Sequence, residues 1–251
     1  MITEMTLIQR SLLFAKLSSI AYNDDIDWVK KKVRKLGFTT VEFYNREGAQ
    51  AYRFMNKEDL VIACRGTQPT EFNDISADLK AFPVVAETIS RVHRGFKAEV
   101  DELWPMVCED IARTVNVGKN LWICGHSLGA AMATICTSRF HALGANQVLY
   151  TYGCPRTGNK EWGEQFKDIE AYRFVNNNDI VPQVPPFGYY HHVGELYYMS
   201  YTNKISNNMS YFQRLKDKIS GRCRAWSKFQ FFDNLYDHLG AHYIKKIISR
   251  K

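Results

Sequence analysis

A serine set between two glycines, Gly125-His126-Ser127-Leu128-Gly129, follows the apolar run Leu121-Trp122-Ile123-Cys124 and leads into Ala130-Ala131-Met132-Ala133. Strand residues before a Gly-x-Ser-x-Gly and helix formers after it are the context of a nucleophile elbow, where the chain turns abruptly and lifts one hydroxyl above a sheet. Ser127 must take a strained backbone there, while Gly125 and Gly129 keep Cβ atoms out of the close approach of strand and helix. The amide of Leu128 opens the helix at the positive end of its dipole, where a developing oxyanion is stabilised. The chemistry these residues point to is acyl transfer through a serine.

A serine hydroxyl is a poor nucleophile near neutral pH, so it needs an imidazole to take its proton and a carboxylate to orient that imidazole. The chain has seven histidines: His93, His126, His141, His191, His192, His238 and His242. The ring of His126 should point away from Ser127, because its backbone belongs to the elbow. His141 falls at a helix end, and His93, His191 and His192 lie in aromatic and apolar segments that suit structural roles. His238 and His242 remain, four apart on one helix face and late in the chain, as the order Ser, acid, His requires. Asp179, which follows a strand and a polar triplet, is the better acid by position; Asp168, Asp233 and Asp237 are poorer candidates.

The elements that must position these groups follow from periodicity. Helical spacing covers Thr6 to Ala21 and Ile26 to Leu36, with Gly37 as the stop of the second. Thr39 to Tyr44, Ala49 to Phe54 and the more apolar Asp59 to Cys64 predict strands. In Gln68 to Pro83, Phe72, Ile75, Leu79 and Phe82 make one apolar face, which suits a helical lid over a greasy cleft or a surface helix. Glu99 to Val115 predicts a longer helix that Pro105 should kink or delay. The elbow helix should run to about His141, and Gln147 to Tyr152 and Ala171 to Asn176 are further strands. In an open parallel sheet ligands bind beyond the C-terminal strand ends, which brings Asp179 to the side of Ser127. Tyr189 to Tyr201 suggests an antiparallel pair or edge strand. A helix ended by Gly221 and a last helix from His238 complete the chain. Helices alternating with buried strands predict an α/β fold, with a mostly parallel central sheet covered on both faces.

Composition sets wider bounds. The 251 residues, 45% of them hydrophobic, with 15 Phe, 14 Tyr and 5 Trp, suit one folded α/β domain over 1–251 rather than a disordered chain. The net charge of +7 is uneven. Residues 203–232 form a basic, aromatic block carrying Lys204, Arg214, Lys216, Lys218, Arg222, Arg224 and Lys228, which reads as a second cap facing anionic lipid or as a packed, solvated excursion. The six cysteines are scattered without a CxxC, so zinc chemistry has no support and buried free thiols in a reducing compartment are expected. The N-terminal residues lack a basic n-region, and no apolar run reaches the roughly 18 residues of a membrane span. A cytoplasmic location is the expectation, with secretion by a route needing no such signal as the alternative.

Seven ordered stretches resemble the class 3 lipases, the fungal-type triacylglycerol lipases and their bacterial and plant relatives. They are Val61-Ile62-Ala63-Cys64-Arg65-Gly66-Thr67, Asp78-Leu79, Val92-His93-Arg94-Gly95-Phe96, Gly125 to Ala130, Tyr152 to Asn159, Asn177 to Pro182, and Asp237-His238. The resemblance implies an α/β-hydrolase fold with a helical lid at 68–83, a catalytic set of Ser127, Asp179 and His238, and oxyanion donors at Thr67 and Leu128. It separates His238 from His242, because the family's base sits in an Asp-His-x-x-x-x-Tyr segment that Asp237, His238 and Tyr243 match. It implies a cover formed by Phe72, Ile75, Leu79 and Phe82, no metal and no cofactor. The implied activity is hydrolysis of lipid esters, triacylglycerol first, with phospholipase A1 and short-chain or feruloyl-type esterase activity as alternatives. A lipid droplet, micelle or membrane surface would be the peripheral partner, with no nucleic acid and no obligate protein partner. A non-catalytic lipid-binding protein is the reading from another class.

Overall fold

The computed structural model describes residues 1–66, 83–115, 118–186, 188–226 and 237–250, and at 114, 115 and 223–226 the backbone alone. An eight-stranded sheet runs through the molecule. Its strands are β1 (Thr40–Arg46), β2 (Ala49–Met55), β3 (Asp59–Cys64), β6 (Asn120–His126), β7 (Gln147–Tyr152), β9 (Ala171–Asn176), β11 (Glu195–Met199) and β12 (Ile205–Ser206), adjacent in that order. From β3 to β11 every neighbouring pair is parallel; β1, β2 and β12 pair antiparallel at the margins. All six residues of β3 are buried, as a strand covered on both faces requires.

Alternation along the central strands feeds two cores. Leu60, Ile62, Cys64, Ile123 and Leu149 face one layer, with Val100, Leu103, Val107 and Ile111 of helix α3 (Arg94–Val115) and Ala131, Ile135 and Phe140 of α4 (Leu128–Ala142). Val61, Ala63, Trp122, Cys124 and Tyr150 face the other, against α1 (Leu7–Ile20), α2 (Ile26–Arg34) and α7 (Gly240–Ile248), through residues such as Phe14, Leu17, Val29 and Ile247. The expected sheet with helices on both faces is therefore present.

Several expectations need correction. Helix α3 starts at Arg94, five residues before the expected Glu99, and runs continuously through Pro105. An interior proline costs about 3 kcal/mol, but burying Leu103, Val107 and Ile111 returns about 1.5 to 3 kcal/mol each. Gly221 does not end the helix after Ser210: beyond the short α5 (Lys160–Gly163), α6 (Tyr211–Trp226) continues past that glycine. A Cβ at Gly221 would lie 2.3 Å from Nδ2 of Asn177, so this glycine permits close packing instead of a stop. The last helix begins at Gly240, leaving His238 in the preceding turn. The stretch expected as an antiparallel pair or edge strand supplies β11, which is antiparallel to the edge strand β12 on one side and parallel to β9 on the other. The fold also contains a second, four-stranded sheet, β4 (Pro83–Val85), β5 (Arg91–His93), β8 (Gly158–Asn159) and β10 (Tyr190–His191), in the order β10-β8-β5-β4. Pro83 thus opens a strand, while Thr67 and the expected lid residues 68–82 lie outside the described residues, as do 227–232 of the basic block.

Cys64, Cys108, Cys124, Cys136 and Cys154 are free thiols. Among the described residues no helix is long and apolar enough to cross a membrane.

Candidate active site

Strand β6 ends at His126 and α4 begins at Leu128, so one residue, Ser127, makes the whole turn, with φ 59° and ψ −130°. A non-glycine residue held there stores on the order of 1 to 3 kcal/mol. The strain is held by the Ser127 amide, which donates to the Tyr152 carbonyl at 3.0 Å, and by the Ala130 amide, which donates to the Ser127 carbonyl at 2.9 Å. The glycines of the elbow are steric requirements: a Cβ at Gly125 would lie 2.2 Å from the Gly129 carbonyl oxygen, and one at Gly129 would lie 2.3 Å from that of Cys64. Gly66 crosses the same junction, its would-be Cβ 2.9 Å from the Gly129 amide nitrogen.

Three distant segments meet at this turn. Oγ of Ser127 lies 2.7 Å from Nε2 of His238, and Nδ1 of His238 lies 3.0 Å from both Oδ1 and Oδ2 of Asp179. A carboxylate accepts, so Nδ1 carries the proton and Nε2 presents its lone pair to the serine hydroxyl, the tautomer that a general base needs. Ser127, Asp179 and His238 are all buried, at 4%, 0% and 3% exposure, in surroundings that strengthen each charge interaction. Burial opposes ionisation of Asp179. The charge of His238 and hydrogen bonds from His238, Tyr243 and the Val181 amide outweigh it and hold the carboxyl below its usual range.

The loops that carry acid and base are tied to each other. The Asp237 carboxylate accepts from Nδ2 of Asn176 at 3.2 Å and from the Asn178 amide at 3.1 Å, and the Asp237 carbonyl accepts from Asn176 Nδ2 at 2.7 Å. Asp237, a poorer candidate for the acid in the sequence, is thus a clamp between the acid loop and the base turn. Tyr243 donates to Oδ2 of Asp179 at 2.5 Å, and its oxygen accepts from the Asn176 amide at 3.1 Å. Burial and the charge of Asp179 push the Tyr243 phenol well up, so it stays a donor. Gly153, with φ +59°, passes so close that a Cβ would sit 2.8 Å from Oδ2 of Asp179 and 3.0 Å from the His238 ring.

Of the residues expected at the site, the structure brings together Ser127, Asp179 and His238. Leu128 occupies the first position of α4, so its amide has no carbonyl of its own helix to bond. Thr67, Phe72, Ile75, Leu79 and Phe82 are outside the described residues. His242 is on α7, half-buried, beyond the turn that presents His238. His93 stacks on Phe96 with centroids 4.0 Å apart, and Nε2 of His192 donates to the Pro182 carbonyl at 2.8 Å. Sequence reasoning missed the supporting contacts of Gly153, Asp237 and Tyr243. Their signal was position within the matched stretches, which marks them without giving a role.

The family model described as Lipase (class 3) matches residues 61–189, which include Ser127 and Asp179. A Vibrio cholerae protein named Toxin TseL is 27% identical over 210 residues, covering 65% of this chain and 32% of its own length. The protein named Lipase from Rhizomucor miehei is 32% identical over 168 residues, covering 61% of this chain and 45% of its own. The chain thus spans from about a third to just under half of the length of these curated relatives. Among solved structures, Lip2 lipase from Yarrowia lipolytica superposes with a TM-score of 0.70 at 19% identity, covering 93% of this chain and 92% of that one. This likeness places the chain in the α/β-hydrolase fold.

Proposed function

The chain belongs to the class 3 lipase family, and on that premise we propose that it is a serine hydrolase of lipid esters, with glycerides as the leading substrate. The observation that carries the proposal is the continuous path from Ser127 through His238 to Asp179, with contacts of 2.7 and 3.0 Å. Ser127 attacks the ester carbonyl as His238 takes its proton at Nε2, and Asp179 orients and balances the imidazolium. The amide of Leu128 is one proposed oxyanion donor and Thr67 the other. His238 then protonates the departing alcohol, and water releases the acid by the reverse sequence. Phe72, Ile75, Leu79 and Phe82 are the proposed apolar cover of the acyl site, and a lipid surface is the proposed place of action.

A second reading, cleavage of phospholipids at one acyl position, draws support from relatives named Phospholipase A1-II 4 of Oryza sativa and Phospholipase A1-IIgamma of Arabidopsis thaliana, each 28% identical. One panel tests both. Short soluble esters, emulsified triacylglycerols and phospholipids are offered to the wild type and to Ser127→Ala, together with a serine-directed phosphonate. Turnover of a lipid ester and labelling by the phosphonate, both lost in Ser127→Ala, are expected. Failure of the wild type to hydrolyse any ester would sink the proposal. A preference for phospholipid would favour the second reading.

A further inference from the structure

Helix α6 is mounted inside out. The residues that attach it to the body are polar or absent. Asp217 accepts from the Tyr198 hydroxyl at 3.0 Å and the Tyr201 amide at 3.2 Å, and Gly221, four residues on, lets the helix backbone rest on Asn177. That contact is two residues from Asp179, so the helix sits on the loop that carries the acid. The apolar residues point the other way. Tyr211, Leu215 and Ile219, spaced by four, form one ridge with Phe212 beside it, and they are 67%, 42%, 56% and 79% exposed. A helix that serves a core buries such a ridge; here it faces outward.

Its charges match that orientation. Arg222 continues the ridge and Lys216 flanks it beside Phe212, both exposed, whereas Arg214 and Lys218 are half-buried, with Lys218 within reach of the Asp179 charge. Among the described residues neither Lys216 nor Arg222 makes an ion pair. The helix has one acid, Asp217, and that one is turned inward. The exposed face therefore offers apolar side chains bordered by uncompensated positive charge. This is the pattern of a helix lying in the plane of an anionic membrane interface. A second copy of the chain would set Lys216 and Arg222 against their own counterparts, which disfavours self-pairing through this face.

We propose that the outward face of α6 is an anchor for anionic lipid surfaces, with Tyr211, Phe212, Leu215 and Ile219 entering the headgroup boundary and Lys216 and Arg222 meeting lipid phosphates. Its purpose rests on the lipid-ester reading, since it would hold the acid-bearing side of the site at the surface where substrate is found. The binding itself does not require turnover.

The test therefore uses the full chain with Ser127→Ala, so that vesicles stay intact. Co-sedimentation is measured with vesicles of pure phosphatidylcholine and with equimolar phosphatidylcholine and phosphatidylglycerol. Binding to the mixed vesicles, weakened by salt and absent from the neutral ones, is expected. Adding Phe212→Glu with Ile219→Glu, or Lys216→Glu with Arg222→Glu, should each lower partitioning by about tenfold or more. The unfolding transition should stay in place, because these side chains touch solvent. Equal binding to both vesicles, unchanged binding in either variant, or a dimer that both variants dissolve would overturn the anchor. Failure of the wild type to hydrolyse esters would sink the enzymatic reading and leave this result standing.

Discussion

Nε2 of His126 lies 2.6 Å from the carbonyl oxygen of His238, so the residue beside the nucleophile holds the backbone of the base. A carbonyl only accepts, so Nε2 carries the proton and Nδ1 is the acceptor that meets the Tyr22 hydroxyl at 3.1 Å. The two imidazoles stack with centroids 4.6 Å apart. Turned away from Ser127, the His126 ring becomes a brace that spans elbow and base turn.

Removing that brace should cost catalysis. His126→Gln keeps an amide donor near the Nε2 position, whereas His126→Leu leaves the buried His238 carbonyl unmet, at about 1 to 3 kcal/mol. A displacement of the base by about 1 Å is enough for roughly a 100-fold loss. Steady-state rates on a soluble ester should fall roughly 10- to 100-fold in His126→Leu and much less in His126→Gln. Equal losses in the two variants would show that the donor is not what matters.

The same residue sets a pH dependence of stability. Burial, then the charge of His238, lowers the His126 pKa from 6.5 to about 3. Between these values the unfolded chain binds a proton that the folded chain does not, so folded stability is present above 6.5 and is lost as pH falls toward 3. The slope from this one group is about 1.4 kcal/mol per pH unit. His126→Gln removes the titration, so its denaturant midpoint should fall less steeply than the wild type's across that window. Parallel curves would refute the assignment.

His238 and His242 offer a direct comparison. Only His238 contacts Ser127 and Asp179, while His242 lies on α7. His238→Ala should lower kcat by about four orders of magnitude or more, and His242→Ala should stay close to wild type. A larger loss at His242 would reassign the base.

How much of this was legible in the sequence depended on range. The elbow shows in the thirteen consecutive residues 121–133 because its demands are local: a Cβ at Gly125 or Gly129 would fall 2.2 or 2.3 Å from a backbone carbonyl oxygen. Spacing alone left His238 and His242 equivalent, because the choice is made by Asp237 clamping the turn to Asn176 and Asn178, some 60 residues earlier. Strands β4, β5, β8 and β10, of two or three residues, are too short for alternation to register. In α6 the periodicity was visible, but not that Asp217 and Gly221 would face in and the apolar ridge out. A glycine that ends a helix and one that lets it pack closely look alike in sequence.

Tyr243 extends the proton path by one step beyond Asp179. Its hydroxyl donates to Oδ2 of the carboxylate at 2.5 Å while its oxygen accepts from the Asn176 amide at 3.1 Å. Hydrogen bonds to charged groups contribute about 1.5 to 3 kcal/mol, so Tyr243→Phe should lower kcat by about tenfold. KM on a soluble ester should change little, because the phenol touches the acid and not the acyl site. The variant should also move the acid limb of stability. Burial raises the Asp179 pKa, but the charge of His238 and the donors, Tyr243 among them, bring the net value below the usual one. Stability from such a depressed carboxyl is present above its unfolded value and is lost as pH falls through the folded one. Without the Tyr243 donor the folded value rises toward the unfolded one, so Tyr243→Phe should be less stable than wild type near neutral pH and should lose less stability across the acid limb. An unchanged kcat together with an unmoved acid limb would show that His238 and the Val181 amide alone hold the carboxylate, leaving Tyr243 only its packing contacts.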